Sequence, residues 1–255
     1  MPEYTISVLN DAIHVLEVVA EHPGSRLPEI AKRAQITKTK VFRILKTFET
    51  SGYVIQDSNQ TFFLHQKAYL LGQQAKHQWD LARVARSELD RLAQTTRENV
   101  HLVVRDGLFS VVVDLRASPH PIRMYAEIGR RGPLHAGGTP KVLLAHAPQD
   151  VLNKVLEASL VQFTSETLTS KVKLLKSLKQ IRHDGYHVAA GDLDEGAFSI
   201  AAPIRNDKLE VIAALSVAGP IMRLNPELQT QYIELVVKAA ERISNKLAGH
   251  RLESF

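Results

Sequence analysis

The 255-residue chain is long enough for two domains, and its 44% hydrophobic residues suffice to build their cores. It has no cysteine, which excludes disulfides, thiolate catalysis and cysteine-bound zinc. The net charge is only +5, and we find no apolar run that could span a membrane and no signal peptide, so we expect a cytoplasmic protein with no membrane partner.

The first helix is predicted from Ser7 to Ala20. Ser7 is its candidate N-cap, and its apolar face is expected to contain Leu9, Ala12, Ile13, Leu16 and Val19. A short helix follows at residues 27–34, and after only Gln35 and Ile36 a longer one is predicted between Thr37 and Gly52. Two β-rich runs, 53–56 and 61–64, then flank a polar turn. This order is typical of a winged helix-turn-helix.

The longer helix has one apolar and one basic side. Lysine and arginine occur six times from Lys32 to Lys46 with no acid, whereas residues 1–64 carry seven basic and seven acidic residues. A local basic patch of this kind suits double-stranded DNA. We predict groove contacts from Thr39, Arg43 and Lys46, phosphate contacts from Lys38 and Lys40, and backbone contacts from the wing residues Ser58, Asn59 and Gln60. The alternative is a helical pair packed on a hairpin without a DNA function; length, order and charge together favour DNA binding.

Residues 65–96 have a helical pattern, with a predicted break at Gly72 and a new start capped by Asp80. A narrow apolar seam on the second piece contains Ala82, Ala85, Leu89 and Leu92. Such a seam favours a dimer contact, and docking on its own domain is the alternative. We expect the domain boundary between Gly72 and Trp79.

The periodicity changes at Asn99, where strand-like and helical segments begin to mix. A mixture of this kind over one long stretch predicts a single α+β domain. Strands are expected at 100–104, 108–115, 122–126, 186–189, 198–204 and 210–218, and helices at 149–159, 165–182 and 226–247, the last stopped by Gly249.

A glycine-rich loop at 132–141 leads into one further helix, with Thr139 expected at its N-cap and Pro140 at its first position. Gly137 and Gly138 allow close backbone approach, and the N–H groups of a helix N-terminus attract anions. The loop therefore suits a small carboxylate. A tight structural turn explains the same residues equally well.

The sequence contains no residue pattern that indicates a catalytic or a metal-binding site. The eleven histidines show no spacing that defines a metal site, and satisfied or solvated histidines explain them better. Asp192, Asp194 and Glu195 crowd one loop, which we interpret as a solvated turn because the bidentate glutamate of a calcium loop is missing. We predict no catalytic residue, no metal and no cofactor.

Several motifs in order resemble those of the IclR-type transcriptional regulators, over about Ser7 to Gly249. They are Leu27-Pro28-Glu29-Ile30-Ala31 with Lys38-Thr39-Lys40-Val41-Phe42-Arg43-Ile44-Leu45, the loop from Pro133 to Lys141, Ile181-Arg182-His183-Asp184-Gly185-Tyr186, Glu195-Gly196 with Ile200-Ala201-Ala202-Pro203-Ile204, and the run from Ala213 to Pro220. The resemblance implies an α+β chain with a winged helix-turn-helix DNA-binding domain at 1–72, a linker helix at 73–96 and an effector-binding domain at 97–255. That last domain would be a GAF-like antiparallel sheet flanked by helices. The resemblance also implies homodimers or homotetramers and a small organic effector, often a carboxylate.

By position, the resemblance assigns the effector site to Gly138, Thr139, Ser199 and Ser216, with Ile122 and Leu134 as an apolar wall. Three departures from the family pattern lie close to this site. Thr139-Pro140 replaces a small residue followed by glycine, the usual acid near Ala190 is missing, and so is a second serine near Ala218. The lost acid and hydroxyl favour a ligand less polar than a hydroxy- or keto-acid. In the DNA-binding part, Gln35 replaces the usual turn glycine.

We therefore expect a ligand-responsive transcriptional regulator that binds a double-stranded DNA operator and a small organic effector. The alternative from another class is an enzyme that acts on a small metabolite and carries an appended nucleic-acid-binding module. A third alternative is a purely structural DNA-binding protein, which would have no small-molecule site at all.

Overall fold

The computed structural model describes residues 5–78 and 80–250, and these two ranges belong to two compact units. The helix-turn-helix and the wing predicted for the first unit are confirmed. Its elements are α1 (Ser7–Glu21), β1 (Ser25–Arg26), α2 (Leu27–Ala34), α3 (Lys38–Thr50), β2 (Val54–Gln56), β3 (Thr61–Leu64) and α4 (Gln66–Gln78). The wing strands β2 and β3 pair antiparallel, and β1, too short to leave a sequence pattern, pairs with the other edge of β3.

The core of the first unit lies where α1 crosses α2 and α3. From α1 it takes Val15, Val18 and Val19, whereas the predicted core residues Leu9 and Ile13 are 56% and 55% exposed. Because α1 has apolar residues on more than one side, periodicity alone could not select the buried face. The N-cap prediction was also wrong: Ile6 occupies that position, and Ser7 is already helical.

Gly72 does not break the helical segment after the wing, because α4 runs continuously through it. An isolated glycine costs a helix only about 1 kcal/mol, which is too little to end it. The predicted boundary reached Trp79, which lies outside the described residues. The division into 1–72, 73–96 and 97–255 therefore stays a prediction.

The second unit is an antiparallel sheet between helices, which confirms the predicted α+β class. Among the described residues, its six strands are ordered β6-β5-β4-β9-β8-β7, and each neighbouring pair is antiparallel. The elements are α5 (Asp80–Thr96), β4 (Asn99–Asp106), β5 (Phe109–Arg116), β6 (Arg131–Pro133), α6 (Gly138–Ala145), α7 (Gln149–Glu157), α8 (Lys171–Asp184), β7 (His187–Ala190), β8 (Ala197–Arg205), β9 (Val211–Pro220) and α9 (Pro226–His250).

Helices cover both faces of this sheet. On one face α5 and α9 pack around a core that includes Leu89, Leu92, Leu102 and Val236. On the other face α6, α7 and α8 build a second core. The seam Ala82, Ala85, Leu89 and Leu92 is buried inside its own unit, so its interpretation as a dimer contact was wrong and the docking alternative is confirmed.

Three segments differ from their predicted form. Residues 122–126 are not a strand: side chains of Asn99 and Arg223, rather than a neighbouring strand, donate hydrogen bonds to the carbonyls of Met124 and Ile122. Helix α8 begins at Lys171 rather than at 165, with the Ser170 hydroxyl as its cap. Helix α9 continues past Gly249 to His250. No helix in the described part of the chain is both long enough and apolar enough to span a membrane.

Candidate nucleic-acid interface and ligand cavity

The first unit holds α3 as a rigid, half-exposed helix. Its inner side, Val41, Ile44 and Leu45, is buried against the core of the unit. The turn before it is fixed by Gln35, whose φ of 56° is left-handed and whose N–H bonds to carbonyls at the end of α2. The outer side of α3 is exposed to solvent and is available to a binding partner.

The predicted DNA-binding residues on that outer side fall into two groups. Lys38, Thr39 and Arg43 are exposed, and no hydrogen bond or ion pair engages the Arg43 guanidinium among the described residues. A long, unpaired guanidinium at the middle of an exposed helix is suited to the guanine edge in a major groove. The exposed Phe42 beside it offers an apolar surface to a thymine methyl.

Lys40 and Lys46 are engaged within the protein. Lys40 forms an ion pair with Asp11 of α1. Lys46 pairs with Glu49 at 2.7 Å and bonds Gln56 of the wing at 3.3 Å. Both lysines are half-exposed, so they join α3 to its neighbours and present only part of their charge outward.

The wing tip places Ser58 and Asn59 in solvent. It is shaped by Asp57, whose carboxylate accepts hydrogen bonds from the backbone N–H groups of Thr61 at 2.8 Å and Asn59 at 3.0 Å. These bonds, that of Thr61 first, hold the pKa of Asp57 below its ordinary value. The tip is therefore a preformed turn rather than a loose loop.

A cavity of about 260 Å³ lies in the second unit, between one face of the sheet and the N-terminus of α6. This is room for roughly eight or nine waters at about 30 Å³ each, and so for one small organic molecule. A segment without regular structure, Met124 to Ala126, forms part of the wall, with Arg130 beside it.

The N-terminus of α6 lies at the cavity, and two glycines, Gly137 and Gly138, allow its backbone to pack closely against neighbouring residues. Gly137 has a left-handed φ of 91° and occupies the N-cap position, so the helix begins two residues earlier than predicted and Thr139 lies inside its first turn. A Cβ on Gly138 would lie 2.9 Å from the Ser199 Cβ and 3.0 Å from its carbonyl oxygen, so only glycine fits there. The N–H groups of Gly138 and Thr139 have no acceptor within the helix.

An ion pair lies beside this helix start. Lys141 Nζ is 2.6 Å from Asp192 Oδ2, and Asp192 also accepts the Gly137 N–H at 3.2 Å. Both side chains are buried, so the prediction of a solvated turn was wrong for Asp192. Because Lys141 neutralises Asp192, the carboxylate does not repel a second anion as a lone charge would.

The structure brings together four of the six predicted effector residues: Gly138, Thr139, Ser199 and Ser216 line the cavity. The other two lie elsewhere. Ile122 is 68% exposed, outside the cavity wall, and Leu134 is buried in the core beneath α6. The apolar wall is supplied instead by residues such as Val103, Met124, Phe163 and Phe198.

Sequence reasoning missed several polar residues of the cavity, among them His101 and Arg130. His101, on β4, faces Ser216 with 3.4 Å between Nδ1 and Oγ. Arg130 pairs with Asp194 at 3.3 Å and lies over the Tyr125 ring. Burial, together with the positive charge of Arg130, lowers the pKa of His101 to about 4, so its imidazole is neutral at pH 7. No group of three or more His, Asp or Glu among the described residues could hold a metal.

A winged helix with an exposed basic recognition face, in one chain with a domain that contains a small cavity, is the architecture of a ligand-responsive transcriptional regulator. Two family models match the chain: the IclR helix-turn-helix domain at residues 9–58 and the bacterial transcriptional regulator IclR C-terminal domain at residues 73–245. The chain belongs to the IclR family. It is a transcriptional regulator with a DNA-binding and an effector-binding domain, not an enzyme.

Among its relatives, the transcriptional regulator KdgR of Escherichia coli K12 is 33% identical over 251 residues, which are 98% of this chain and 95% of KdgR. An IclR regulator from Alicyclobacillus acidocaldarius has a similar structure, with a TM-score of 0.86, 25% identity and coverage of 96% and 99% of the two chains. An IclR homologue from Microbacterium hydrocarbonoxydans, solved with 4-hydroxybenzoate, has a TM-score of 0.82 at 25% identity, with 95% and 99% covered.

Proposed function

We propose that this chain binds its operator as a homodimer or homotetramer and that a small carboxylic acid in the cavity controls this binding. The cavity at the N-terminus of α6 carries the proposal. Gly138 and Thr139, whose N–H groups have no acceptor within the helix, line this space together with Ser199 and its hydroxyl. A carboxylate suits such a helix start because of its N–H groups and its partial positive charge.

The rest of the wall supports an organic acid rather than an inorganic anion. Val103, Met124 and Phe198 surround the body of the space and would cover a hydrocarbon chain or a ring. The relative solved with 4-hydroxybenzoate holds a ligand of this kind. A regulator that acts on the chromosome of a bacterium would work in the cytoplasm.

On the DNA side, Arg43 is the proposed base-reading residue, supported by Thr39. Lys38 and, with part of its charge, Lys40 would contact phosphates, with Ser58 and Asn59 of the wing at the flanking backbone. Lys46, which bonds Glu49 and Gln56, would mainly hold the wing against α3. A pseudo-palindromic operator would need two copies of α3 related by a two-fold axis.

The DNA half is tested with the purified full chain. Its preferred duplex is first enriched from random 30-base-pair DNA, and gel-shift titrations then compare variants on that duplex. Arg43→Ala should cost about 1–3 kcal/mol on the enriched site and relax its sequence preference. Lys208→Ala, at an exposed turn of the second unit, is the control and should bind like the wild type. Unchanged binding by Arg43→Ala would contradict the proposed orientation of α3.

The effector half is tested by calorimetry with a panel of carboxylic acids, 4-hydroxybenzoate included. We expect at least one acid to bind the full chain, to shift its affinity for the enriched duplex and to be recovered unchanged. Ser199→Ala should weaken the binding of the acid, because it removes a hydroxyl from the cavity. It should leave ligand-free DNA binding intact, because Ser199 lies on β8, within the second unit.

A further inference from the structure

The sheet side of the cavity carries a polar pair that the carboxylate site does not use. His101 on β4 and Ser216 on β9 are directly opposite each other in the antiparallel ladder, and both line the cavity. Their side chains approach to 3.4 Å between Nδ1 and Oγ. This distance is at the long limit of a hydrogen bond, so a better-placed partner could draw the serine hydroxyl away from the imidazole.

The chemistry of this pair favours a neutral oxygen. A neutral imidazole has one donor and one acceptor nitrogen, and Nε2 of His101 has no hydrogen-bond partner in residues 5–78 and 80–250. Burial, with Arg130 nearby, lowers the pKa of His101 to about 4, so the ring offers no positive charge to a carboxylate at pH 7. A hydroxyl or keto oxygen matches one neutral ring nitrogen and one serine hydroxyl.

The position of the pair fixes where that oxygen lies in the ligand. Ser199, which packs against Gly138 at the carboxylate end, belongs to β8, whereas His101 belongs to β4. The strand β9 separates them, so their strands are roughly 10 Å apart at about 4.8 Å per step. Ser216, on β9, is a diagonal neighbour of Ser199, at roughly 7–8 Å. An oxygen on the carbon next to the carboxylate would fall short of His101, but one at the far end of the molecule could reach both members of the pair.

Given the carboxylate site proposed above, on which this inference depends, we propose that His101 and Ser216 select effectors with a hydroxyl or keto oxygen remote from the carboxylate. The departures from the family pattern near Ala190 and Ala218 predict a less polar ligand. His101 supplies a polar group on β4, and none of the sequence motifs that resemble the family includes this residue. The ligand class is therefore the carboxylic acids oxygenated at their distal end.

The test is a matched series of probes on the full chain: butanoate, pentanoate and hexanoate, each beside its ω-hydroxy counterpart. Calorimetry at pH 7 gives the ratio of the two dissociation constants for each chain length. We expect the hydroxylated member of the best-fitting pair to bind about tenfold tighter, because it satisfies two polar groups that its parent leaves unpaired. His101→Phe should reduce this ratio below threefold.

His187→Phe is the matched control. His187 belongs to the same cross-strand row, through Ala201 and Ser216, but it does not line the cavity, so its replacement should keep the tenfold ratio. Ser216→Ala is the second test variant and serves if His101→Phe does not fold. It removes a single oxygen from a strand that already contains several alanines. It should also bring the ratio below threefold.

Two results would overturn the assignment while leaving the carboxylate site standing. One is equal affinity for both members of every pair in the wild type. The other is a tenfold ratio that survives in His101→Phe and in Ser216→Ala. If no acid of either series binds the wild type, the carboxylate site fails and the selection of distal oxygens fails with it.

Discussion

Lys141 and Asp192 form a buried ion pair, with 2.6 Å between Nζ and Oδ2 and only 5% and 7% of their side chains exposed. The pair joins α6 to the loop before β8, and Asp192 extends it to the N–H of Gly137. Two segments that are distant in the sequence and line the same part of the cavity, the start of α6 and the loop before β8, are thereby held together.

Lys141→Met should lower the free energy of unfolding by about 3–5 kcal/mol, because it leaves the Asp192 carboxylate buried without its counter-charge. Urea unfolding of the full chain measures the change. The double variant Lys141→Met/Asp192→Asn should recover part of the loss, since the remaining amide is neutral. The control is Lys238→Met, which breaks an exposed pair with Glu234 and should change stability by less than about 1 kcal/mol. Equal effects of the two lysine variants would contradict this account of the buried pair.

The fold could be predicted much further than the site. Local patterns were enough for α2, α3 and the wing, because a turn residue, an apolar face and a polar turn each lie within a few residues of one another. The cavity depends instead on register. His101 and Ser216 are 115 positions apart and meet only because β4 and β9 pair as they do.

The incorrect predictions concern residues whose surroundings are set by distant parts of the chain. Asp192 was interpreted as solvated because its partner Lys141 lies in a distant segment that only the folded sheet brings close. Ile122 and Leu134 were placed by family position, but Ile122 lies in an irregular exposed segment and Leu134 in a helix-covered core. Leu89 has the period of an interface residue and of a core residue alike, and only the packing of α9 against α5 decides between them.

The salt dependence of DNA binding should separate Lys38 from Lys40. A lysine that neutralises one phosphate contributes about 0.9 to the slope of log K against log salt concentration. Lys38→Ala should therefore reduce the slope by about 0.9, whereas Lys40→Ala should reduce it by less than half as much, because Asp11 already offsets its charge. Fluorescence anisotropy from low to moderate NaCl concentration gives both slopes. A larger loss for Lys40→Ala than for Lys38→Ala would show that Asp11 releases Lys40 to the DNA.

Association of the chain should depend on α1 rather than on α5. Leu9 and Ile13 of α1, with Ile6 at its N-cap, form an exposed apolar stripe in the same unit as α3, and a second copy could cover it. Leu9→Glu should shift the protein toward monomer in sedimentation velocity without loss of helix content. Val172→Glu, at a 77% exposed position of α8, is the matched control and should sediment like the wild type.

Leu89→Glu tests the other side of that argument. Its side chain is fully buried between α5 and α9, so a carboxylate there should unfold the second unit rather than separate two copies. Circular dichroism would show the loss of structure. A folded, monomeric Leu89→Glu protein would restore α5 as the contact between copies.

Stability should fall as the pH is lowered from about 7 to about 4. Burial is the main cause that lowers the pKa of His101, His146 and His187 to about 4, from 6.5. For His187 the charge of Lys141 adds to the effect and Asp192 opposes it. Between the two pKa values the unfolded chain binds protons that the folded chain excludes, so acid favours unfolding. Below about pH 4 both states are protonated, and the dependence due to these histidines levels off.

The variant His187→Gln removes one of these groups and should make the decline between pH 7 and pH 5 shallower, by at most about 1.4 kcal/mol per pH unit. Urea unfolding at several pH values measures the slope, which stays readable even if the substitution lowers stability at every pH. His65→Gln, at an exposed position next to the wing, is the control and should keep the slope of the wild type. Parallel curves for His187→Gln and the wild type would mean that His187 titrates alike in the folded and unfolded chain.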